Sequence, residues 1–156
     1  MIVLGIDPGH EHSAWVAYET DSRSIIKLGI NDNATVRMML KADRKLGWVM
    51  AIEMVGCYGM AVGREVFETC VAIGRFEQCW EGGEHDRILR QTIKAHLCNS
   101  TKANDSNIRR ALMDRWGGDL SVKKGGPLAG IKTHLWAALA CAVAWAELKG
   151  KNFEPA

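Results

Sequence analysis

Proline is scarce in this chain, at 3 in 156 residues, and no segment is repeated, of low complexity or linker-like. With 47% apolar and 24% charged residues, this excludes disordered, collagen-like and coiled-coil chains and leaves an ordinary soluble globule. The 5 cysteines (57, 70, 79, 98 and 141) form no Cys-x-x-Cys pair and leave an odd thiol, and no leader-type segment opens the chain. The expectation is a reducing, cytoplasmic setting. Cys70 and Cys141 lie in apolar runs, as small hydrophobes do. No hydrophobic run is long enough to span a bilayer, which takes about 20 residues. The longest, 135–146, reads as a buried helix.

A length of 156 residues is one domain's worth. Such a chain buries roughly 70% of its extended surface and folds without disulfides or structural metal. We expect residues 1–156 to form a single domain, with no room for the second lobe of a kinase. The net charge of +2 is unevenly placed. Residues 1–84 carry 8 basic and 12 acidic side chains, residues 85–134 carry 10 basic and 4 acidic, and the remainder is neutral. A polyanion lying across the C-terminal half suits this asymmetry; solvated helix faces are the alternative.

Residues 2–6 form an apolar β-type run that stops at the turn Asp7-Pro8-Gly9. Strand signals resume over 13–19 and, after Thr20-Asp21-Ser22, over 24–28, which reads as an antiparallel meander. Asn33-Ala34-Thr35 opens a helix through Lys45, with Val36, Met39 and Leu40 on one side. The nearly continuous apolar run 48–53 fits a strand in the middle of a covered sheet. Apolar residues at 66, 67, 70, 71 and 73 mark an amphipathic helix over 64–80, ended by Gly82-Gly83. Residues 87–92, laced with arginines, read as a further strand. Asn104 or Asp105 caps a helix to Trp116, terminated by Gly117-Gly118. A basic loop, Lys123-Lys124-Gly125-Gly126-Pro127, precedes a final helix over 132–149. The expected fold is α/β, a mixed five-stranded sheet with helices on both faces.

Two carboxylates stand out. Asp7 follows an apolar strand directly, and Glu53 is embedded in one, with Met54 and Val55 beyond it. A charge placed there is costly unless a cation or hydrogen bonds satisfy it. Two acids ending adjacent strands would converge on a site for hard divalent cations. A turn aspartate before Pro8 is the plainer reading of Asp7. His134 opens the apolar last helix and gains meaning only beside these acids. His10 and His12 flank Glu11 in a loop and read as exposed, while His85, His96 and the cysteines lack zinc-ligand spacing. Tryptophans 15, 48, 80, 136 and 145 lie in apolar patterns and read as core.

The order of these blocks resembles the RuvC-type Holliday-junction resolvases. Gly5-Ile6-Asp7-Pro8-Gly9 looks like the family's opening motif, and Ala51-Ile52-Glu53 resembles its second. Ile93-Lys94, with Lys102-Ala103-Asn104-Asp105-Ser106-Asn107-Ile108-Arg109, looks like its basic strand and following helix. His134-Leu135-Trp136-Ala137-Ala138-Leu139-Ala140 resembles the motif on its last helix, in the form seen in phage and prophage members. The resemblance covers nearly the whole chain. It implies a ribonuclease H-like fold and cleavage of branched DNA with two Mg²⁺ ions, Mn²⁺ serving as a substitute. The implied metal ligands are Asp7, Glu53 and His134, with His134 alternatively the base that takes the proton of water. The family's fourth acid falls on Ala137, which departs from the pattern. Asp105 is a candidate substitute, with N-capping the competing explanation.

Lys94 matches a lysine near the scissile phosphate. Lys102, Arg109, Lys123, Lys124 and Lys132 are expected to meet DNA phosphates, whereas Asp114 and Asp119 read as solvated. Tyr58 and Met60, in the loop after Glu53, are candidate wedges into a junction centre or simply pack the loop. The expected substrate is a four-way junction, and symmetric double nicking calls for a homodimer. Three other classes stay open: a ribonuclease H-like nuclease for flaps, forks or hybrids, a junction-binding protein without catalysis, and an actin-like phosphotransferase.

Overall fold

The computed structural model describes residues 1–42, 47–57 and 59–149. Strands β1 (Ile2–Asp7), β2 (His12–Glu19) and β3 (Ser24–Asp32) form the expected meander, with β3 running four residues beyond its expected end at Leu28. Helix α1 (Asn33–Ala42) follows directly; the expected continuation to Lys45 lies outside the described residues. β4 (Trp48–Met54) pairs parallel with β1, and β5 (His85–Leu89) pairs parallel with β4. The sheet order is β3-β2-β1-β4-β5, which makes β1 the central strand.

Helices cover both faces. α1 and α2 (Arg64–Cys79) enclose Leu4, Ile6, Met50 and Ile52 on one side. On the other, α3 (Arg90–Cys98), α4 (Asp105–Arg115) and α5 (Leu135–Lys149) enclose Val3, Val49, Ala51 and Ile88. α5 is apolar all round because sheet and helices surround it, so it lacks a polar stripe until its last turns. No helix among the described residues is long and apolar enough to cross a membrane.

Two expectations need correction. Residues 87–92 are not one strand: pairing with β4 ends at Met54 beside Leu89, and Arg90 begins α3. Ile93 and Leu97, four residues apart, then point together into the core, a helical spacing hidden behind the arginines. The buried face of α2 is Thr69, Ala72, Ile73, Phe76 and Cys79, and not the stripe 66–67–70–71. Phe67 and Val71 are left 59% and 52% exposed.

One glycine sets how closely α5 approaches the sheet. A Cβ on Gly5 would collide with the backbone oxygen of Ala138 and stand 2.8 Å from Ala142 Cβ. Strand and helix therefore meet nearly backbone to backbone, with only alanines between them. Gly5→Ala should force α5 off β1 and destabilise the fold by about 3 kcal/mol, the upper range for overpacking. A denaturant midpoint unchanged from wild type would show that α5 does not sit this close.

Candidate active site

Strand parity assembles the centre of the site. Val3, Gly5 and Asp7 of β1 share a face, as do Val49, Ala51 and Glu53 of β4, and both sets face α5. The parallel register sets Ile6 beside Ile52, so Asp7 and Glu53 leave neighbouring strands on the same side. Both line a cleft of about 800 Å³ at the C-terminal ends of these strands, together with Arg90, Asp105, Arg109, Lys132 and His134.

His134 Nδ1 lies 3.0 Å from Asp7 Oδ2, joining positions at opposite ends of the chain. The final helix begins at Leu135 and not at Lys132, so His134 sits just ahead of it, its carbonyl accepting from Ala137 and Ala138 N–H. The turn before it is strained. Thr133 has φ of 44°, a left-handed conformation that a β-branched residue rarely takes. That conformation directs the next side chain towards the sheet edge, while leaving the imidazole 77% exposed.

Glu53 is only 7% exposed and is held by Arg90, whose Nη1 donates to both carboxylate oxygens at 2.8 and 3.0 Å. Arg90 Nη2 donates in turn to Asp105. Burial pushes the Glu53 carboxyl up to about 7, with Asp7 adding to the rise and Arg90 opposing it. Burial also disfavours the Arg90 charge, but Glu53 and Asp105 outweigh it and keep the guanidinium protonated. The single guanidinium is shared between two acids and partly in water, so burial governs Glu53. Asp7 is raised as well, by burial against the pull of His134 and Arg90.

Of the two cap candidates for α4, Asn104 and Asp105, the structure selects the first, so N-capping does not account for Asp105. Asn104 is the cap: its side chain accepts from Asn107 N–H and the Asn107 side chain accepts from Asn104 N–H. Asp105 is thereby free to turn into the cleft. Arg109 lies 5.1 Å over the Trp136 ring, which holds its guanidinium against the cleft wall. Ala137 lines the cleft too, as expected for the position of the departed acid.

Other expected residues are not gathered here. Lys94 lies one turn beyond Arg90 on α3, outside the cleft lining. Lys102 stands in the exposed turn before α4, and Lys123 and Lys124 follow the 3-10 turn Gly118–Val122 at the surface. Asp114 and Asp119 are exposed and paired with Arg110. Tyr58 lies outside the described residues, and Met60 is exposed. Arg90 was the residue that sequence reasoning missed. Its signal was parity, since Asp86, Ile88 and Arg90 alternate onto the face of Glu53, a buried acid in need of a cation.

The donors suit a hard divalent cation in type, being a half-buried and a buried carboxylate, Asp7 and Glu53, whose ionisation the protein leaves undercompensated. As they stand, no three His, Cys, Asp or Glu side chains among the described residues converge into a metal-binding group. Glu53 is turned to Arg90 and Asp7 to His134.

No protein-family model matches the sequence. No curated protein matches it either. Solved structures do. The Thermus thermophilus RuvC structure superposes with a TM-score of 0.77 at 17% identity, covering 100% of both chains. T. thermophilus RuvC in complex with a Holliday junction substrate gives a TM-score of 0.73 at 16% identity, covering 100% of this chain and 99% of that one. Over its whole length, this chain has the ribonuclease H-like fold of RuvC.

Proposed function

We propose that the protein, acting as one nuclease domain, is a structure-selective, metal-dependent endonuclease that resolves four-way DNA junctions by paired symmetric nicks. The observation that carries this reading is the cleft itself. On a RuvC fold, two strand-end acids open onto a hollow rimmed by Arg90, Arg109 and Lys132. Asp7 and Glu53 would hold Mg²⁺ or Mn²⁺, which supplies an activated water and neutralises charge on the phosphate.

The remaining roles belong to the chain's own side chains. The Asp7 contact favours the second of the two roles open to His134. With Nδ1–H donated to Asp7, Nε2 faces solvent and accepts the proton of the attacking water. Arg90 and Lys94, one turn apart on α3, offset the phosphate charge at and beside the scissile bond. Arg109 and Lys132 position the strand, and Lys102, Lys123 and Lys124 meet phosphates further out. Asp105 serves chiefly to hold Arg90.

Labelled four-way, forked and linear DNA incubated with and without Mg²⁺ or Mn²⁺ tests this. Symmetric nicks confined to the four-way substrate are expected. One rival is a junction-binding protein without catalysis, and binding without nicks would establish it. Nicks only in forks or flaps would move the activity to those substrates.

Paired nicks need two sites related by a two-fold axis, hence a homodimer. The exposed apolar Phe67 near the start of α2, outside the hollows that adjoin the cleft, supports a self-complementary contact there. Phe67→Glu should convert the dimer to a monomer in sedimentation and uncouple the two nicks. A wild-type monomer, even with junction DNA bound, would overturn this.

A further inference from the structure

We propose that the groove between α1 and α2 is a second binding site for DNA phosphates, linked to the cleft by adjoining surface hollows. It takes the backbone of duplex DNA that runs on from the reacting strand. This rests on the reading that the cleft binds DNA, and adds where the bound arm goes.

Arg37 and Lys41, four residues apart on α1, face Arg75 on α2 across a groove of about 790 Å³. Most arginines elsewhere are tied down. Arg64, Arg87, Arg90, Arg110 and Arg115 each pair with a carboxylate. Among the described residues, Arg37, Lys41 and Arg75 have no such partner. Their clustering also runs against the local charge. Residues 1–84 hold only 8 basic side chains against 12 acidic, yet three of those cations and a single acid, Glu81, line this one groove.

The groove does not stand alone. Arg37 and Arg75 also line an adjoining hollow of about 320 Å³ that ends at His10. His10 lines the next, also about 320 Å³, which contains Asp7 and His134. Those two residues line the cleft. Adjoining hollows that share lining residues thus follow one another from Glu53 and Arg90, past the turn Asp7-Pro8-Gly9, to the groove between α1 and α2.

The chemistry of the lining selects the ligand. Among the described residues no aromatic side chain lines the α1–α2 groove, so these offer unpaired bases nothing to stack on. Guanidinium and ammonium groups at its edges instead suit phosphates spaced along a backbone, without regard to sequence.

The test compares wild type with Arg37→Gln/Lys41→Gln/Arg75→Gln on short-armed and long-armed four-way junctions across a salt series. Each lost phosphate contact removes about 0.9 from the slope of log affinity against log salt, so the triple variant should lose roughly 2.7 on the long-armed junction. Its affinity for that junction should fall at least about tenfold, while the short-armed junction, which ends before the groove, binds as in wild type. Arg37→Lys with Arg75→Lys should keep the wild-type slope, separating charge from packing. Equal slopes for wild type and triple variant would overturn the proposal. So would equal losses on both arm lengths accompanied by a change in sedimentation, which would make the groove a contact between copies of the chain. Wild-type binding of the short-armed junction tests the cleft separately. Its absence sinks the junction reading, and a wild type that binds neither substrate sinks both.

Discussion

Nicking of a four-way junction by Asp7→Asn or Glu53→Gln is expected to fall on the order of a hundredfold to a thousandfold, with junction binding retained. Each change removes one of the two carboxylates at the cleft floor, half-buried Asp7 or buried Glu53, and leaves its shape nearly unaltered. A lost electrostatic group at a reacting phosphate costs rates of this order. On the proposed reading binding rests on Arg109, Lys132 and the outlying lysines, so removing a negative charge should leave affinity equal or slightly higher. Gel-shift and single-turnover cleavage on the same preparations check both halves. Variants that still cut at the normal rate, or folded variants that no longer bind, would show that these acids do not serve the metal.

A second large effect, on stability, should come from Arg90→Gln, and its size should depend on pH. Removing one partner of a fully buried ion pair costs about 3–5 kcal/mol. Arg90 is 31% exposed, so about 2 kcal/mol is the discounted expectation at pH 8. Glu53 in the folded protein holds its proton up to about 7, above its ordinary value of 4.5. Between those values the folded state binds a proton that the unfolded state lacks, so metal-free stability falls as pH rises through that window. Below it Glu53 is neutral, Arg90 has little to compensate, and the substitution should cost little. Denaturant unfolding in chelator should therefore show a penalty for Arg90→Gln that grows from pH 5 to pH 8. Mn²⁺ should restore the variant more than the wild type, since no guanidinium has to leave Glu53 first. A penalty equal at both pH values, unaffected by Mn²⁺, would mean that the pair contributes only packing.

What the sequence revealed and what it hid have physical causes. β1 and β4 were legible because an apolar run broken by a single acid is a strong local signal, and parity then requires the acids to share a face. His134 was legible by position at the mouth of a helix with no polar side. Arg90 was not, because whether β5 stops at Leu89 depends on where β4 stops pairing, a fact about another segment. The α2 stripe misled for a similar reason. Phe67 and Val71 are as apolar as Ile73 and Phe76, and only the position of the sheet decides which are covered. Asn104 and Asp105 are equally good caps by residue type, and the choice fell to Asn107, which completes the reciprocal pair with Asn104.

The contact between His134 and Asp7 spans 127 positions, and the cleft draws its polar groups from five separate elements. Local pieces such as the β1–β2–β3 meander can form early, but a site closed by such distant contacts forms late. During synthesis, at about 5–20 residues per second, α5 is the last described element to emerge. A chain still on the ribosome therefore holds Asp7 and Glu53 without the histidine and without the helix that seals the sheet behind them. On the proposed reading, such a chain, which has not yet made α5 and lacks the histidine beside Asp7, should not cut DNA.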